Sequence, residues 1–263
     1  MSNAAGPAFQ HLVDLLARLR APDGCPWDRE QTHESLKRNL LEETHEVLEA
    51  IDEKSASRLR EELGDVLLQI LFHAQIASEV GVFTIDDVVE SIRDKLVRRH
   101  PHVFGDVVVK DAAEVEANWE RLKRQERQAK EDESLLGRIP PTLPALAYSQ
   151  LLQDRASRTG FDWDNLDGVL EKVVEEVQEI REAQSPEERS REFGDLLLAL
   201  VNTGRWMGVH GEDSLREANA RFLQRFTKME SLARSRGLSF ADLPLEEKER
   251  LWQEAKASES AGT

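Results

Sequence analysis

The chain has a single cysteine, Cys25, so no intrachain disulfide can form and no cysteine-based metal site can be built. That poverty fits a reducing compartment, and the expected location is the cytoplasm. Long apolar runs are missing too: the stretch from Val66 to Phe83 is interrupted by Gln69, His73, Gln75 and Glu79, which rules out a spanning helix there. The first residues, MSNAAGPAFQ, hold neither a basic segment nor an apolar one, so neither a secretory leader nor a membrane partner is expected. Positive charge is in short supply, with 35 Lys and Arg against 51 Asp and Glu for a net charge of -16. An extended nucleic-acid footprint needs clustered Lys and Arg and is excluded as a partner on that ground. A small phosphorylated ligand is not, because a divalent ion and a few basic residues suffice for it. Aromatic residues make up 6%, and helix breakers are few, at 14 Gly and 9 Pro. With 40% hydrophobic residues this composition predicts an all-α protein.

The 263 residues allow one large domain or two of about 130 residues. Phe9, Leu12, Leu15, Leu16 and Leu19 recur at helical spacing from Ala8 to Arg20, and APDGCPWD ends that helix. A second helix is expected from about Thr32 to Ser35 onward, with Leu36, Leu40, Leu41, Val47, Leu48 and Ile51 on its apolar face. A third follows in RLREELGDVLLQILFHAQIASEV, and a fourth starts at Thr84, a suitable N-cap with Asp86 and Asp87 behind it, and closes at Pro101. Residues 111–133 read as a highly charged helix. Pro140, Pro141 and Pro144 then forbid a continuous helix, which sets the domains at 1–133, a linker at 134–144, and 145–263. The tail from about Lys256 is expected to fray.

Past the linker the order repeats. Trp27 pairs with Trp163 at a spacing of 136, Glu43 with Glu176 at 133, Asp65 with Asp195 at 130, Lys95 with Arg221 at 126, and Trp119 with Trp252 at 133. Five landmarks in one order at near-constant spacing indicate a duplicated helical domain.

Each half carries EExxE, a break, then ExxD: Glu42, Glu43, Glu46, Glu62 and Asp65, and then Glu175, Glu176, Glu179, Glu192 and Asp195. Residues three or four apart share a helix face, so each half presents carboxylates together from two helices. Such pairs can also be solvated surface charge, but these abut apolar residues (Leu40, Leu41 and Val47; Val173, Val174 and Val177). Crowded acids would repel one another there, whereas a divalent ion keeps them ionised. A hard oxygen cage suits Mg²⁺, with Mn²⁺ as an alternative.

These acid patterns, the GD before a buried apolar run, CPWD, RRHPHVFGD, WERLK and LWQEAK closely resemble the MazG nucleoside triphosphate pyrophosphohydrolases of the all-α NTP pyrophosphatase superfamily. The resemblance spans both repeats and implies two tandem MazG-like helical bundles joined by the proline-containing linker. It implies Mg²⁺-dependent hydrolysis of NTPs and dNTPs to nucleoside monophosphate and pyrophosphate, with broad base tolerance, in a homodimer. By position, Glu176, Glu179, Glu192 and Asp195 would bind metal, and Glu175, Glu176 and Glu179 would be catalytic, Glu175 as a further acid or as the group orienting water. The matching first-half acids are Glu43, Glu46, Glu62 and Asp65. Lys172, Arg221, Arg225 and Trp252 match substrate-binding positions, with Lys95, Arg99 and Trp119 as first-half counterparts of the last three. Trp252 could stack on any base or could simply pack in the core. Two slots depart from the family: Glu188 replaces a basic residue, with Arg189 adjacent, and Asn39 stands where the second half has Lys172. Without a Gly-rich phosphate loop or a nucleophile elbow, metal and side chains would have to hold a triphosphate. The second half is the expected catalytic one. The rival readings are a narrower enzyme for modified or deoxy nucleotides and a non-catalytic nucleotide- or metal-sensing helical dimer.

Overall fold

A computed structural model describes residues 5–112, 114–115, 118–119, 121–122 and 134–260. Among the described residues there are helices and turns but no strands, so the protein is all-α. It divides into two compact units, residues 1–123 and 124–263.

The first unit contains α1 (Ala5–Arg20), α2 (Pro26–Glu30), α3 (Lys37–Asp52), α4 (Ala56–Glu79), α5 (Ile85–Arg99) and α6 (Pro101–Phe104). The short helices α2 and α6 each begin at a proline, which suits a first helical position because no backbone N–H is needed there. The second expected helix starts later than its sequence suggests, at Lys37. Thr32 and Ser35 exchange side-chain to backbone hydrogen bonds at 2.9 and 3.1 Å and form a turn before it. Thr84 caps α5, and Asp87 completes the reciprocal capping box. Leu16, Leu36, Leu71 and Phe72 form the buried core, which joins α1 and α4 to the residue that opens α3. Arg20 on α1, its side chain almost wholly buried, grips both oxygens of Glu79 on α4 at 2.8 and 2.7 Å. That fork holds the Glu79 carboxyl below its ordinary range.

The second unit contains α7 (Ala145–Ser157), α8 (Leu166–Glu182), α9 (Pro186–Trp206), α10 (Gly211–Ser235), a 3₁₀ turn at Phe240–Asp242 and α11 (Leu245–Ser260). Its order is consistent with a repeat of the first unit, since an acid-bearing helix pair again packs against the helix before it. Ser185 and Glu188 form a capping box at the start of α9, with Pro186 first in the helix. This gives Glu188, where the resemblance implies a base, a local role of its own: its carboxylate accepts from the backbone N–H of Gln184 and Ser185 at 2.8 and 3.3 Å. Those bonds lower its pKa. Residues 134–144 are non-helical, while residues 123–133 of the charged helix expected over 111–133 lie outside the described residues. The C-terminal segment does not fray at Lys256; α11 runs to Ser260 because Leu251 and Ala255 are buried against Met229 and Ala233 of α10.

Candidate active site

Three carboxylates meet where α8 and α9 pack together. Single oxygens of Glu176, Glu179 and Glu192 all lie within 4.8 Å of one another. Glu176 is 3% exposed. Its Oε1 accepts from Lys172 Nζ at 2.7 Å, and its Oε2 is buried with no donor. Lys172 also donates to the more exposed Glu175 at 2.9 Å, so one ammonium ties two successive acids together and is itself held more strongly protonated, first by Glu176 and then by Glu175. Burial, reinforced by the charge of Glu176, pushes the Glu179 carboxyl above its ordinary range. A buried carboxylate oxygen with no partner, facing two further acids, is costly unless a cation completes it. The donors are all hard oxygens, a set that fits Mg²⁺ or Mn²⁺. Asp195 lies outside the tight trio, but it lines the same cavity.

That cavity measures about 500 Å³ and is bounded by α7, α8, α9 and the segment before α8. Beyond the acids, Phe161, Trp163 and Leu198 give it apolar walls, and Gln153, Asn202 and Arg205 give it a polar end. Asp162 organises that end by accepting from Arg205 Nη2 at 2.5 Å, the Trp206 indole at 3.1 Å and the Trp163 backbone N–H at 2.9 Å. Burial raises its pKa, but the three hydrogen bonds outweigh burial and leave the carboxyl below its usual range. Of these residues only Trp163 and its neighbour Asp164 stand out in the sequence, through the repeated Trp-Asp. Gln153, Phe161, Asp162, Asn202 and Arg205 carry no spacing signal that would have marked them.

The first unit has its own trio, Glu43, Glu62 and Asp65, with oxygens again within 4.8 Å. Burial, then the charge of Asp65, raises the pKa of Glu43; burial, then Glu46, raises that of Glu62. Glu46 approaches Glu43 within hydrogen-bonding reach but stands outside the trio. Arg58 leans over this group and pairs with Glu49 at 2.9 Å, Glu53 at 2.6 Å and Glu62 at 3.7 Å. What differs is the surroundings. At the 130-residue spacing of Asp65 and Asp195, Asn202 of the cavity corresponds to Phe72 and Arg205 to Gln75. Phe72 is buried in the core and meets the edge of Trp27 at 6.5 Å. The acids are kept, while a polar cavity residue has become packing.

The remaining basic and aromatic candidates gather elsewhere. Arg225 lies over the Trp252 ring at 5.5 Å, Phe222 flanks that ring at 5.4 Å, and Arg221 pairs with Glu217 at 3.4 Å, all on α10 and α11. None of Arg221, Arg225 and Trp252 lines the 500 Å³ cavity. Arg189 is exposed on the first turn of α9. In the first unit, Lys95 is exposed on α5 and Arg99 closes that helix. Trp119 stacks edge-on with His100 at 4.9 Å, its indole N–H buried without an acceptor.

Paired helices that converge carboxylates on a cavity place this helical protein among folds with an acid cage able to take a hard cation. Comparison with known sequences narrows that class. Residues 31–104 match the MazG nucleotide pyrophosphohydrolase domain. The nucleoside triphosphate pyrophosphohydrolase/pyrophosphatase MazG of Thermotoga maritima is 48% identical over 255 residues, covering 97% of this chain and 98% of the relative. A nucleoside triphosphate pyrophosphohydrolase of Escherichia coli is 44% identical over 257 residues, covering 95% and 98%. The uncharacterized protein YabN of Bacillus subtilis is 47% identical over 255 residues, covering 95% of this chain and 52% of the relative. The chain belongs to the MazG family of nucleoside triphosphate pyrophosphohydrolases.

Proposed function

We propose that the protein hydrolyses nucleoside triphosphates, ribo and deoxy, to the monophosphate and pyrophosphate, and that the second unit does the chemistry. The observation that carries this reading is the orphaned Glu176 oxygen in a three-carboxylate cluster that lines a 500 Å³ cavity. Mg²⁺, or Mn²⁺, held by Glu176, Glu179, Glu192 and Asp195 would neutralise the triphosphate and lower the pKa of the attacking water. The chain's own part is positional. Lys172 fixes Glu175 and Glu176 relative to each other, so a carboxylate of set position is available to orient the water and take its proton. The water oxygen then bonds to the α-phosphorus, and the bond from that phosphorus to the bridging oxygen breaks, its electrons leaving with pyrophosphate. Phe161 and Trp163 offer ring faces and Leu198 an aliphatic wall to a nucleoside, a lining tolerant of different bases.

Arg221, Arg225 and Trp252 retain their proposed place as triphosphate and nucleoside contacts, supplied to the cavity by a second copy in a homodimer. Exposed Phe193, Leu197 and Leu200 on α9 and Val174 on α8 support a partner surface on the acid-bearing pair. The corresponding first-unit acids, Glu43, Glu46, Glu62 and Asp65, are proposed to hold a divalent ion without turnover.

The test is to incubate the protein with each NTP and dNTP plus Mg²⁺ and resolve the products. Monophosphate with pyrophosphate is the expected outcome; diphosphate with phosphate, or binding without products, would overturn the reading. Light scattering after gel filtration should give twice the chain mass, and Phe193→Asp should halve it.

A further inference from the structure

Two side-chain amides at the polar end of the cavity are each half committed. Gln153 Nε2 donates to the Leu198 carbonyl at 2.9 Å and to Ser149 Oγ at 3.3 Å. A carbonyl can only accept, which fixes that amide's orientation and leaves Oε1 of this cavity-lining side chain buried and with no donor. Asn202 is 4% exposed, and its Oδ1 accepts from Arg205 Nε at 2.8 Å. A guanidinium can only donate, so this amide is fixed too, and its Nδ2 is left as the donor. Asp162 in turn anchors Arg205 at 2.5 Å. The cavity therefore carries one fixed acceptor and one fixed donor.

Their place along α9 says what they would meet. Asn202 follows the cavity acid Asp195 by seven residues, about 10 Å at 1.5 Å per residue, on the same side of the helix after two turns. A nucleotide spans a similar length from its α-phosphorus to the outer edge of its base. We propose that Gln153 and Asn202 read the hydrogen-bonding edge of the nucleobase, with Gln153 Oε1 taking a base N–H and Asn202 Nδ2 giving to a base acceptor. This rests on the pyrophosphohydrolase reading and deepens it. Adenine, cytosine, guanine and uracil all place a donor beside an acceptor on their pairing edge, so one acceptor and one donor serve all four bases. A base lacking the donor leaves Gln153 Oε1 buried and unpaired.

The experiment compares ATP with purine riboside triphosphate, which has the same ring without the exocyclic amine, on the wild-type protein, Gln153→Leu and Asn202→Asp. Wild type should favour ATP in kcat/KM by about tenfold or more, the scale of one buried unpaired acceptor. Gln153→Leu should bring the two substrates within about twofold, mainly by raising the KM for ATP. Asn202→Asp keeps the bond from Arg205 and replaces the donor with an acceptor, and it should slow both substrates. Equal use of the two nucleotides by wild type would overturn the proposal, as would a Gln153→Leu variant that still prefers ATP to the full extent. Turnover of neither nucleotide by wild type would instead bring down the functional reading, and this proposal with it.

Discussion

Glu176 and Glu179 differ in what holds them. Glu176 has Lys172 at 2.7 Å, whereas burial and the neighbouring charge raise the carboxyl of Glu179. A raised carboxyl means that the folded protein binds the proton more tightly than the unfolded chain. Its stabilising effect is then complete below the unfolded value and is lost as pH rises through the folded one. Metal-free protein should therefore gain stability as pH falls through the raised Glu179 value. Glu179→Gln should remove that gain and raise the Tm of the metal-free protein at neutral pH, while turnover falls; a scan of Tm against pH, with and without the substitution, checks this. For Glu176→Gln and Asp195→Asn, turnover should fall by about a hundredfold or more, since several kcal/mol of charge stabilisation are at stake and 1.4 kcal/mol is a factor of ten. Circular dichroism should show the fold unchanged. The matching changes at Glu43 and Asp65 should leave most turnover intact, and the reverse pattern would move the chemistry to the first unit.

Helices and their joints account for what could and could not be read beforehand. The carboxylates were legible because EExxE and ExxD put acids on one helix face and because the pattern occurs twice. The start of α5 was legible because a cap is a local exchange between Thr84 and Asp87. Gln153 was not, since its meaning comes from the Leu198 carbonyl on another helix, 45 residues away. Nor was the pairing of His33 with His73 at 2.8 Å across 40 residues. Two such rings share a hydrogen bond only if at least one is neutral. Burial, and then the charge of His33, lowers the His73 pKa, with Glu34 opposing. The contribution of this pair is intact above the unfolded histidine value of about 6.5 and declines as pH falls from there through the lowered folded value. His33→Phe should flatten that acid limb in urea denaturation curves. Gln150 is another joint of this kind: buried on α7, it accepts from the Gly211 N–H at 2.9 Å and donates to the Val209 carbonyl at 3.1 Å, closing the entry to α10. Gln150→Leu keeps the volume but orphans both groups. It should cost about 1–3 kcal/mol per group left buried and unpaired, read as a lower urea midpoint at constant slope.

Across the whole chain, the EExxE and ExxD acid pattern occurs twice, in different surroundings. Both units keep a carboxylate trio, but Phe72 and Leu36 fill the first unit's core while Asn202 and Arg205 face a cavity in the second. A ligand that binds only the folded state stabilises it by mass action, about 2.7 kcal/mol for one site at a hundred times its dissociation constant. Mg²⁺ should therefore raise the Tm of the intact protein through two sites. The double change Glu43→Gln with Glu62→Gln should remove one share of that rise and leave turnover largely intact. Glu176→Gln with Glu179→Gln should remove the other share and abolish turnover. Calorimetric scans over a Mg²⁺ series, run beside product assays on the same samples, separate the two. If the first pair of changes left the Mg²⁺-dependent rise untouched, the acids of the first unit would be a solvated remnant of the duplication and not a cation site. If instead it abolished turnover, the packed core around Phe72 would have to accommodate substrate, and the assignment of chemistry to the cavity of the second unit would fail.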